Sequence, residues 1–344
     1  MSGGVDSSVA AAVLLEQGHR VTGVTMKLWG GASDSGCCSV ADVDDAARVA
    51  QQLGIAHHVA NFSDAFDRDV VAPYVADHAA GLTPNPCVAC NRHLKFDRLL
   101  RRAEQLGFDA VATGHYARIE PPSQGRSQWT LRRGADPAKD QSYVLHMLGQ
   151  AELAHVLFPV GDLPKAEVRA RAADLGLRTA GKPDSQDVCF ISRTGGREAF
   201  LGARIPLRPG AVVDTAGRPV GTVPAVQLVT VGQRRGLGVA GGPATRNDRR
   251  YALGVDVETS VVTVGTLDDL MTSAVEVAGM QWCGATPGAA ARVEVQASAH
   301  GRPVPATWDG ASTLLVDEPI RRVAPGQSVV LYERDAVLGG GAAA

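Results

Sequence analysis

Hydrophobic positions in the first half of the chain alternate between helical and strand-like spacing. The helical spacing predicts helices at residues 7–17, 42–53, 65–80 and 95–106, most of them ended by a glycine, and Pro73 should disturb the third. β-rich runs predict strands at residues 20–29, 57–63 and 109–119. Strands that alternate with helices are typical of a doubly wound, mostly parallel sheet, so this half is expected to have an α/β fold.

The pattern changes beyond about residue 190, where helical periodicity largely disappears. Short runs rich in Val alternate with Gly and Pro turns, as in VQLVTVGQRRGLGVAGG and QSVVLYE. This pattern predicts two small β domains, the last a β-barrel. The expected domains are 1–193, the catalytic domain, 194–257, the central β domain, and 258–344, the barrel that would face a nucleic acid.

Composition narrows the class of protein. The 344 residues are 45% hydrophobic and 20% charged, which is typical of globular proteins. Neither a membrane-length apolar run nor a basic leader is visible, so we expect a cytoplasmic protein with no membrane partner, whose six cysteines are reduced. The net charge of −2 does not indicate a nucleic-acid binder, and the basic cluster at residues 92–102 could be a solvated helix face.

The string SGGVDSS, residues 2–8, is typical of a phosphate-binding loop. Adjacent glycines let backbone N–H groups converge on an anion, and the following helix points its positive end at the same place. Hydroxyls of Ser2, Ser7 and Ser8 can add hydrogen bonds, and Asp6 can orient a metal. The string is not a Walker A motif, and alone it could be a turn that caps a helix. The helix and the β run behind it favour nucleotide binding.

Three cysteines stand in two unusual segments. Cys87 and Cys90 lie in TPNPCVACNRHLKF, where we expect a proline-rigidified turn before a basic helix, and Cys189 lies in GKPDSQDVCFIS. A zinc knuckle would need a fourth ligand. Cys37 and Cys38 are expected in a loop or at a helix start.

The loop resembles that of the ATP pyrophosphatases, which cleave ATP between its α- and β-phosphates and adenylate a carbonyl oxygen. The cysteine segments, with ATGHYAR, KDQSYVLHMLGQ, FPVGDLPKAEVRARA and VGQRRGLG, further resemble the tRNA-specific 2-thiouridylase family. The resemblance runs from residue 2 to about residue 339. It implies an enzyme that uses ATP and Mg²⁺ to adenylate the wobble uridine (position 34) of tRNA and then thiolates it at C2, releasing AMP and pyrophosphate. The base would have to be flipped out of its stack.

The resemblance also implies roles for single residues. Sulfur from a cysteine desulfurase or a sulfur-relay protein would be carried as a persulfide on Cys189. Cys90 would be the nucleophile that forms a transient disulfide with Cys189, and at least one of these thiols should have a lowered pKa. Asp6 would act in catalysis. The expected ATP-binding residues are Met1, Ser2, Gly3, Gly4, Val5, Asp6, Ser7, Ser8, Met26 and Gly114. The expected contacts to tRNA are His115, Lys139, Asp140, Gln141, Val295, Gln296 and Gln327, and those to the target base are Asn85, Pro86 and Cys87.

The chain departs from the family pattern at several positions. Many members carry Asp at the position of Cys87, whereas a subtype carries Cys. In that subtype Cys87, Cys90 and Cys189 could hold a [4Fe–4S] cluster whose fourth iron binds hydrosulfide, so persulfide and cluster routes stay open. Leu82 replaces a usual Arg, so one phosphate contact is expected to be missing. The family has a short apolar strand ahead of the position of Met1, so we expect either a start codon assigned too late or a missing first strand.

Two other functions remain as alternatives. Another adenylating synthetase could use the same loop, but it would have no use for three cysteines at these positions. A degenerate RNA-binding or sulfur-carrying protein would have lost ATP chemistry.

Overall fold

The computed structural model describes residues 1–28, 40–184, 188–192, 195–239 and 249–344, without the side chains of Cys189 and Ser192. Cys37 and Cys38 therefore lie outside the described residues. The α-helices of the described chain are α1 (Val5–Glu16), α2 (Val40–Gln52), α3 (Ser63–Phe66), α4 (Ala72–Ala79), α5 (Pro86–Cys90), α6 (Leu100–Gln105), α7 (Gln150–Leu153), α8 (Lys165–Asp174), α9 (Cys189–Ser192), α10 (Arg197–Gly202) and α11 (Leu267–Leu270). Its strands are β1 (Thr22–Lys27), β2 (Ala56–Asn61), β3 (Val111–Ala112), β4 (Ala117–Glu120), β5 (Thr130–Arg133), β6 (Val156–Leu157), β7 (Gly210–Val213), β8 (Pro219–Val223), β9 (Tyr251–Asp256), β10 (Val261–Gly265), β11 (Met271–Trp282), β12 (Ala291–Gln296), β13 (Val304–Trp308), β14 (Thr313–Arg321), β15 (Ser328–Glu333) and β16 (Ala336–Ala343).

The first half contains parallel strand pairs packed against helices. β1 lies parallel to β2, and β3 lies parallel to β6. α1 and α8 share a core that includes Val9, Val13 and Val168, all of them buried. Because parallel strands need helical crossovers, this arrangement confirms the predicted α/β class.

The two parallel pairs form separate sheets in the described structure. A cavity extends between them and is lined by Val24 of β1 and Val111 of β3. Met1 lies alongside β1: its ammonium group donates to the carbonyl of Val24, and its carbonyl accepts a hydrogen bond of 2.7 Å from Thr25 Oγ1.

Two long helical stretches contain π-helical segments, and both differ from the predicted bounds. The first runs from α3 through the π-helical residues Asp67–Val71 into α4, and Pro73 lies in the first turn of α4. Pro73 has no N–H for a normal helical hydrogen bond, and the π segment ends just before it. The second begins at α5 and passes through Asn91–Leu99 into α6. Cys87 and Cys90 therefore lie on a helix and not on the predicted turn. No helix among the described residues is long and apolar enough to cross a membrane.

The central domain is a four-stranded sheet in the order β8–β7–β10–β9. β10 pairs with β9 as a hairpin and lies parallel to β7. The predicted boundary after residue 257 falls inside this hairpin. Strand pairing therefore places the end of the central domain after Gly265, which is a correction that local sequence patterns did not reveal.

The last domain is the predicted β-barrel. Its sheet runs in the order β11–β14–β13–β12–β15–β16, and β11 pairs with β16 to close it. Trp308 and Leu331 are among its buried core residues. The β4–β5 hairpin of the first half joins the same sheet, with Ala336 opposite Arg132, and Asp335 forms ion pairs with Arg118 and Arg132. The turn after β5 is thus held against the barrel.

Candidate active site

The phosphate loop has the backbone geometry of an anion site. Gly3 has a φ of +69°, and a Cβ atom there would lie 2.3 Å from the carbonyl oxygen of Asp42, so only glycine fits. Gly4 is the N-cap of α1 and provides no side-chain cap. The first N–H groups of α1 are therefore available to a negatively charged ligand.

The three serines of the loop have different positions: one is buried in the protein and two face the cavity. Ser7 Oγ accepts the N–H of Ser2 at 3.1 Å and donates to the carbonyl of Gly4 at 3.2 Å. Ser8 is fully buried and donates to the same carbonyl at 2.8 Å. Ser8 thus stabilises the loop from inside, whereas Ser2 and Ser7 line the cavity.

Two further ATP-binding candidates lie against this loop. A Cβ atom on Gly114 would be only 2.7 Å from the carbonyl carbon of Asp6 and from the nitrogen of Ser7, so the backbone at Gly114 contacts the start of α1 directly. Met26, near the carboxyl end of β1, lines the same cavity. Ligands of doubly wound sheets bind at this end of the strands.

Lys182 anchors the phosphate loop to neighbouring parts of the fold. Its Nζ donates to the carbonyl of Gly3 at 2.9 Å and bonds Asp42 at 2.6 Å and Asp45 at 2.9 Å. These contacts tie the loop to α2 and to the segment that leads to Cys189. No local pattern in the segment GKPDSQDVCFIS assigns a role to this lysine.

Asp6 is held by two donors. Its Oδ1 accepts Tyr116 Oη at 2.7 Å and Lys165 Nζ at 2.6 Å. Burial, and next the hydrogen bond to Asp6, raise the pKa of Tyr116 well above its usual value, so the phenol keeps its proton. The hydrogen bonds of the described residues to Asp6 all use Oδ1, which leaves Oδ2 for a ligand.

Lys165 also reaches Asp184, where it meets two other cations. Asp184 pairs with Lys139 at 2.7 Å, with Lys165 at 2.9 Å and with Arg169 at 2.5 Å. Burial alone would raise the pKa of Asp184, but hydrogen bonds from Lys139 and Lys165 outweigh it and hold this pKa well below its usual value. The carboxylate is therefore ionised.

The thiol-bearing helix begins with a side-chain cap. Asn85 Oδ1 accepts the N–H of Cys87 at 3.0 Å, and Pro86 occupies the first helical position, where its missing N–H costs nothing. Cys87 and Cys90 are one turn apart, and both side chains line the cavity. Asn85 is therefore placed as a cap, while Pro86 lines the cavity wall.

Cys90 lies in an apolar environment. It packs against a cluster that includes Phe66 and Phe190, the residue after Cys189. Burial raises the pKa of the Cys90 thiol, and the charge of Lys95 only partly opposes this. Cys90 is thus not the thiol with the expected lowered pKa, and the thiol of Cys189 lies outside the described side chains.

His115 forms part of the cavity wall between two fixed partners. Lys95 Nζ lies 3.3 Å from its Nε2, and Thr113 Oγ1 lies 2.6 Å from its Nδ1. Burial, and then the charge of Lys95, lower the pKa of His115 well below 6.5. Because an ammonium group can only donate, Nε2 accepts and the ring proton lies on Nδ1.

Several predicted tRNA contacts make internal hydrogen bonds. The side chain of Asp140 is 8% exposed and accepts the N–H of Gly134 at 2.9 Å and Arg133 Nη1 at 2.9 Å. Gln296 is buried and also bonds Arg133, at 2.8 Å, and Val295 lies in the barrel core. Their roles as tRNA contacts stay predictions.

Gln327 lies at a junction between the barrel and the thiol helix. The N–H of Thr83, just before Pro84-Asn85-Pro86, donates to the carbonyl of Pro325 at 2.7 Å. A Cβ atom on Gly326 would lie 3.1 Å from the Cβ atom of Leu82, so these two segments are in direct contact. The barrel thus contacts the start of the segment that carries Cys87 and Cys90.

One cavity of about 2580 Å³ brings most of the predicted residues together. Its wall includes Met1, Ser2, Gly3, Gly4, Asp6, Ser7, Met26, Pro86, Cys87, Cys90, Gly114, His115, Lys139, Asp140 and Gln141. Val5 and Ser8 lie buried behind the loop. Among the described residues, Asn85, Val295, Gln296 and Gln327 lie outside this wall.

Family models match all three domains. Residues 1–193 match the tRNA methyl transferase HUP domain, residues 198–266 the tRNA methyl transferase PRC-barrel domain, and residues 272–343 the aminomethyltransferase β-barrel domain. A tRNA-specific 2-thiouridylase MnmA from Mycolicibacterium smegmatis is 49% identical, covering 97% of this chain and 94% of the relative. The chain belongs to the tRNA-specific 2-thiouridylase family.

Other members of the 2-thiouridylase family show the same extent of similarity. The MnmA of Acidothermus cellulolyticus is 46% identical over 98% of this chain and 94% of its own length. That of Chloroflexus aggregans is 46% identical over 99% of this chain and 96% of its own length. The resemblance expected from the motifs is therefore confirmed over nearly the whole chain.

The residues of the cavity wall do not decide between the persulfide route and the iron–sulfur cluster in this protein. Within the described ranges, no three His, Cys, Asp or Glu side chains are grouped as metal ligands. Cys87 and Cys90 are present at the wall, but the third thiol of the set belongs to Cys189. The cluster therefore stays a prediction.

Proposed function

We propose that this protein is a tRNA-uridine 2-sulfurtransferase that adenylates the wobble uridine with ATP and then replaces its O2 with sulfur. The observation that carries the proposal is the shared cavity. A phosphate loop, the thiols of Cys87 and Cys90 and the predicted tRNA triad at residues 139–141 line one cavity. An enzyme that activates a base and then thiolates it needs both chemistries within reach of one atom.

The loop fits ATP with Mg²⁺. The open N–H groups at the start of α1 would bind phosphate oxygens, and Gly114 lets its segment pack directly against the start of this helix. Asp6 Oδ2 is an oxygen ligand of the kind that Mg²⁺ prefers. Magnesium would neutralise phosphate charge as pyrophosphate leaves.

The proposed chemistry has two stages. The O2 of the uridine attacks the α-phosphate of ATP, pyrophosphate leaves, and the base becomes an adenylated electrophile. The terminal sulfur of a persulfide on Cys189 then attacks C2, and AMP leaves. Cys90 attacks the Cys189 sulfur of the resulting adduct, so that 2-thiouridine is released and a Cys90–Cys189 disulfide forms. An external thiol must reduce this disulfide before the next turnover.

The partners follow from this chemistry. A cysteine desulfurase or a relay protein would load Cys189, and tRNA would present position 34 to the cavity. The reducing conditions needed to regenerate the thiols fit a cytoplasmic location. Lys95, in the basic helix beside Cys90, and Arg92 would contact RNA phosphates.

The alternatives fit the cavity less well. An adenylating synthetase for a small molecule has no use for Cys87 and Cys90 at the wall, and an inert carrier has no use for the fitted phosphate loop. The names of two family models mention methyl transfer, but thiols beside an ATP-binding loop fit sulfur transfer better than methyl transfer.

A single assay separates these functions. The protein is incubated with tRNA, a persulfide donor and ATP labelled at the α-phosphate, and the tRNA is digested for mass spectrometry. We expect ATP-dependent replacement of oxygen by sulfur in the wobble uridine, with AMP released. Methylated uridine, or ATP cleavage that ignores tRNA, would contradict the proposal.

A further inference from the structure

Asp184 is the meeting point of three basic side chains from two parts of the fold. Lys139 bonds its Oδ2, while Lys165 and Arg169 of α8 bond its Oδ1. Lys139 lies in the predicted tRNA triad, and Asp184 itself precedes Cys189 in the same segment. Its carboxylate therefore touches groups that serve different substrates.

The chain of contacts continues to the phosphate loop. Lys165 Nζ bridges Asp184 at 2.9 Å and Asp6 at 2.6 Å, and its side chain is only 11% exposed. A series of ion pairs, Lys139–Asp184–Lys165–Asp6, thus connects the proposed RNA side of the cavity to the ATP side. Asp136 fixes both lysines, because its Oδ2 accepts the N–H of Lys165 at 3.0 Å and its carbonyl accepts the N–H of Lys139 at 3.0 Å.

We propose that Asp184 is a positioning residue that couples the binding of ATP to the binding of tRNA. When Mg²⁺ and ATP engage Asp6, Lys165 loses one of its two carboxylates and pairs more fully with Asp184. Asp184 then holds Lys139 less strongly, and Lys139 is released toward an RNA phosphate. The inference rests on the proposed function, since it requires that both substrates bind this cavity.

The sign of the coupling follows from charge. Three cations share two carboxylates in this group. Mg²⁺ with ATP at Asp6, or an RNA phosphate at Lys139, takes one partner from the end of the series, so the inner pair of Lys165 with Asp184 becomes stronger and the opposite end is freed. Binding of one ligand should therefore favour the other, and the coupling must be reciprocal. Salt should weaken it, because Lys139 and Asp184 are partly exposed.

The test measures the affinity for α,β-methylene-ATP with Mg²⁺, which cannot be cleaved at the required bond, with and without saturating tRNA. For the wild-type protein we expect tRNA to tighten nucleotide binding by about 5-fold or more. In Asp184→Asn both ligands should still bind, but this ratio should fall to near one. Asp184→Glu should restore part of it, which a purely structural role would not predict.

Two further variants complete the test. Asp174→Asn removes an exposed carboxylate from the same helix α8 and should leave the ratio at the wild-type value. Lys139→Gln removes the ion pair at the exposed end of this series. It should abolish coupling even if Asp184→Asn does not fold. An unchanged ratio in both Asp184→Asn and Lys139→Gln, in a protein that thiolates tRNA, would overturn the inference alone. A wild-type protein that binds no tRNA would overturn the proposed function as well.

Discussion

The two sides of the cavity are stabilised in different ways. The phosphate loop is held by ion pairs and charged hydrogen bonds, chiefly from Lys182 and Lys165. The thiol side is held by apolar packing, with Cys90 beside Phe66 and Phe190. Adenylation develops charge on phosphates and needs fixed cations, whereas sulfur transfer to an activated base needs a site from which water is excluded.

The comparison also explains the state of the thiol. A positively charged environment would lower the pKa of a cysteine, but burial in the apolar one around Cys90 raises it, and Lys95 is the cation that partly opposes this. Cys90 is therefore a protonated, protected thiol in this structure. Each prediction below disturbs one side of the cavity.

The largest effect on the phosphate side is expected from Gly3→Ala. The new Cβ would meet the carbonyl of Asp42 at 2.3 Å in a backbone with positive φ, so the loop must shift. We expect ATP affinity to fall by about 100-fold or more, close to 3 kcal/mol, when measured by calorimetry. Gly18→Ala is the matched control, because Gly18 has a φ of +84° with nothing within 4 Å of its Cβ position. ATP binding by Gly3→Ala equal to that of Gly18→Ala would refute the loop geometry.

On the thiol side, Cys90→Ala should lower tRNA thiolation by about 100-fold or more while leaving adenylation of tRNA within about 3-fold of wild type. The reason is that the thiol acts only after pyrophosphate has left. Cys283→Ser is the control, because Cys283 is buried away from the cavity wall and donates to the carbonyl of His146 at 3.3 Å, a bond that a hydroxyl can keep. Equal losses of both half-reactions in Cys90→Ala would show that the two sides are not separable.

A smaller effect is expected from Lys182→Met, which removes the cation under the loop but leaves its backbone unobstructed. We expect ATP to bind about 10-fold more weakly, and Lys182→Arg to recover part of this loss. Alkylation of Cys90 should be unchanged in both variants. A change in Cys90 reactivity as large as the change in ATP affinity would indicate one rigid unit instead of two independently held sides.

The smallest effect concerns the ionisation of Cys90. Since burial raises its pKa, the thiolate fraction at neutral pH is small, and alkylation of Cys90 should still accelerate as the pH rises above 9.0. Lys95→Met removes the opposing charge, raises the pKa further, and should slow alkylation by about 3-fold at each pH below it. Peptide mass spectrometry after iodoacetamide treatment measures the rate, with Arg102→Met as the control on the same helical stretch. Faster alkylation in Lys95→Met would contradict the assigned role of Lys95.

The sequence was most informative where function depends on short segments. The glycine loop, the parallel α/β class and the barrel follow from local spacing, and the Asn85-Pro86 start of a helix could also have been recognised, although we predicted a turn there. Long-range pairs were missed: Lys182 and Asp42 are 140 positions apart, and Lys165 and Asp6 are 159 apart. No local pattern reveals such partners. The domain boundary was misplaced as well: β10 pairs with β9 and, across a long stretch of sequence, with β7, and both pairings place it in the central sheet.

The most direct test of the two-sided cavity uses Cys189→Ser, which removes the proposed sulfur carrier and leaves the phosphate loop intact. The variant is incubated with tRNA, Mg²⁺ and ATP labelled at the α-phosphate, with inorganic sulfide excluded, and the label on tRNA is followed with time. The account predicts that adenylated tRNA accumulates and that no 2-thiouridine forms. Thiolation at the wild-type rate, or the absence of any adenylated tRNA, would contradict it.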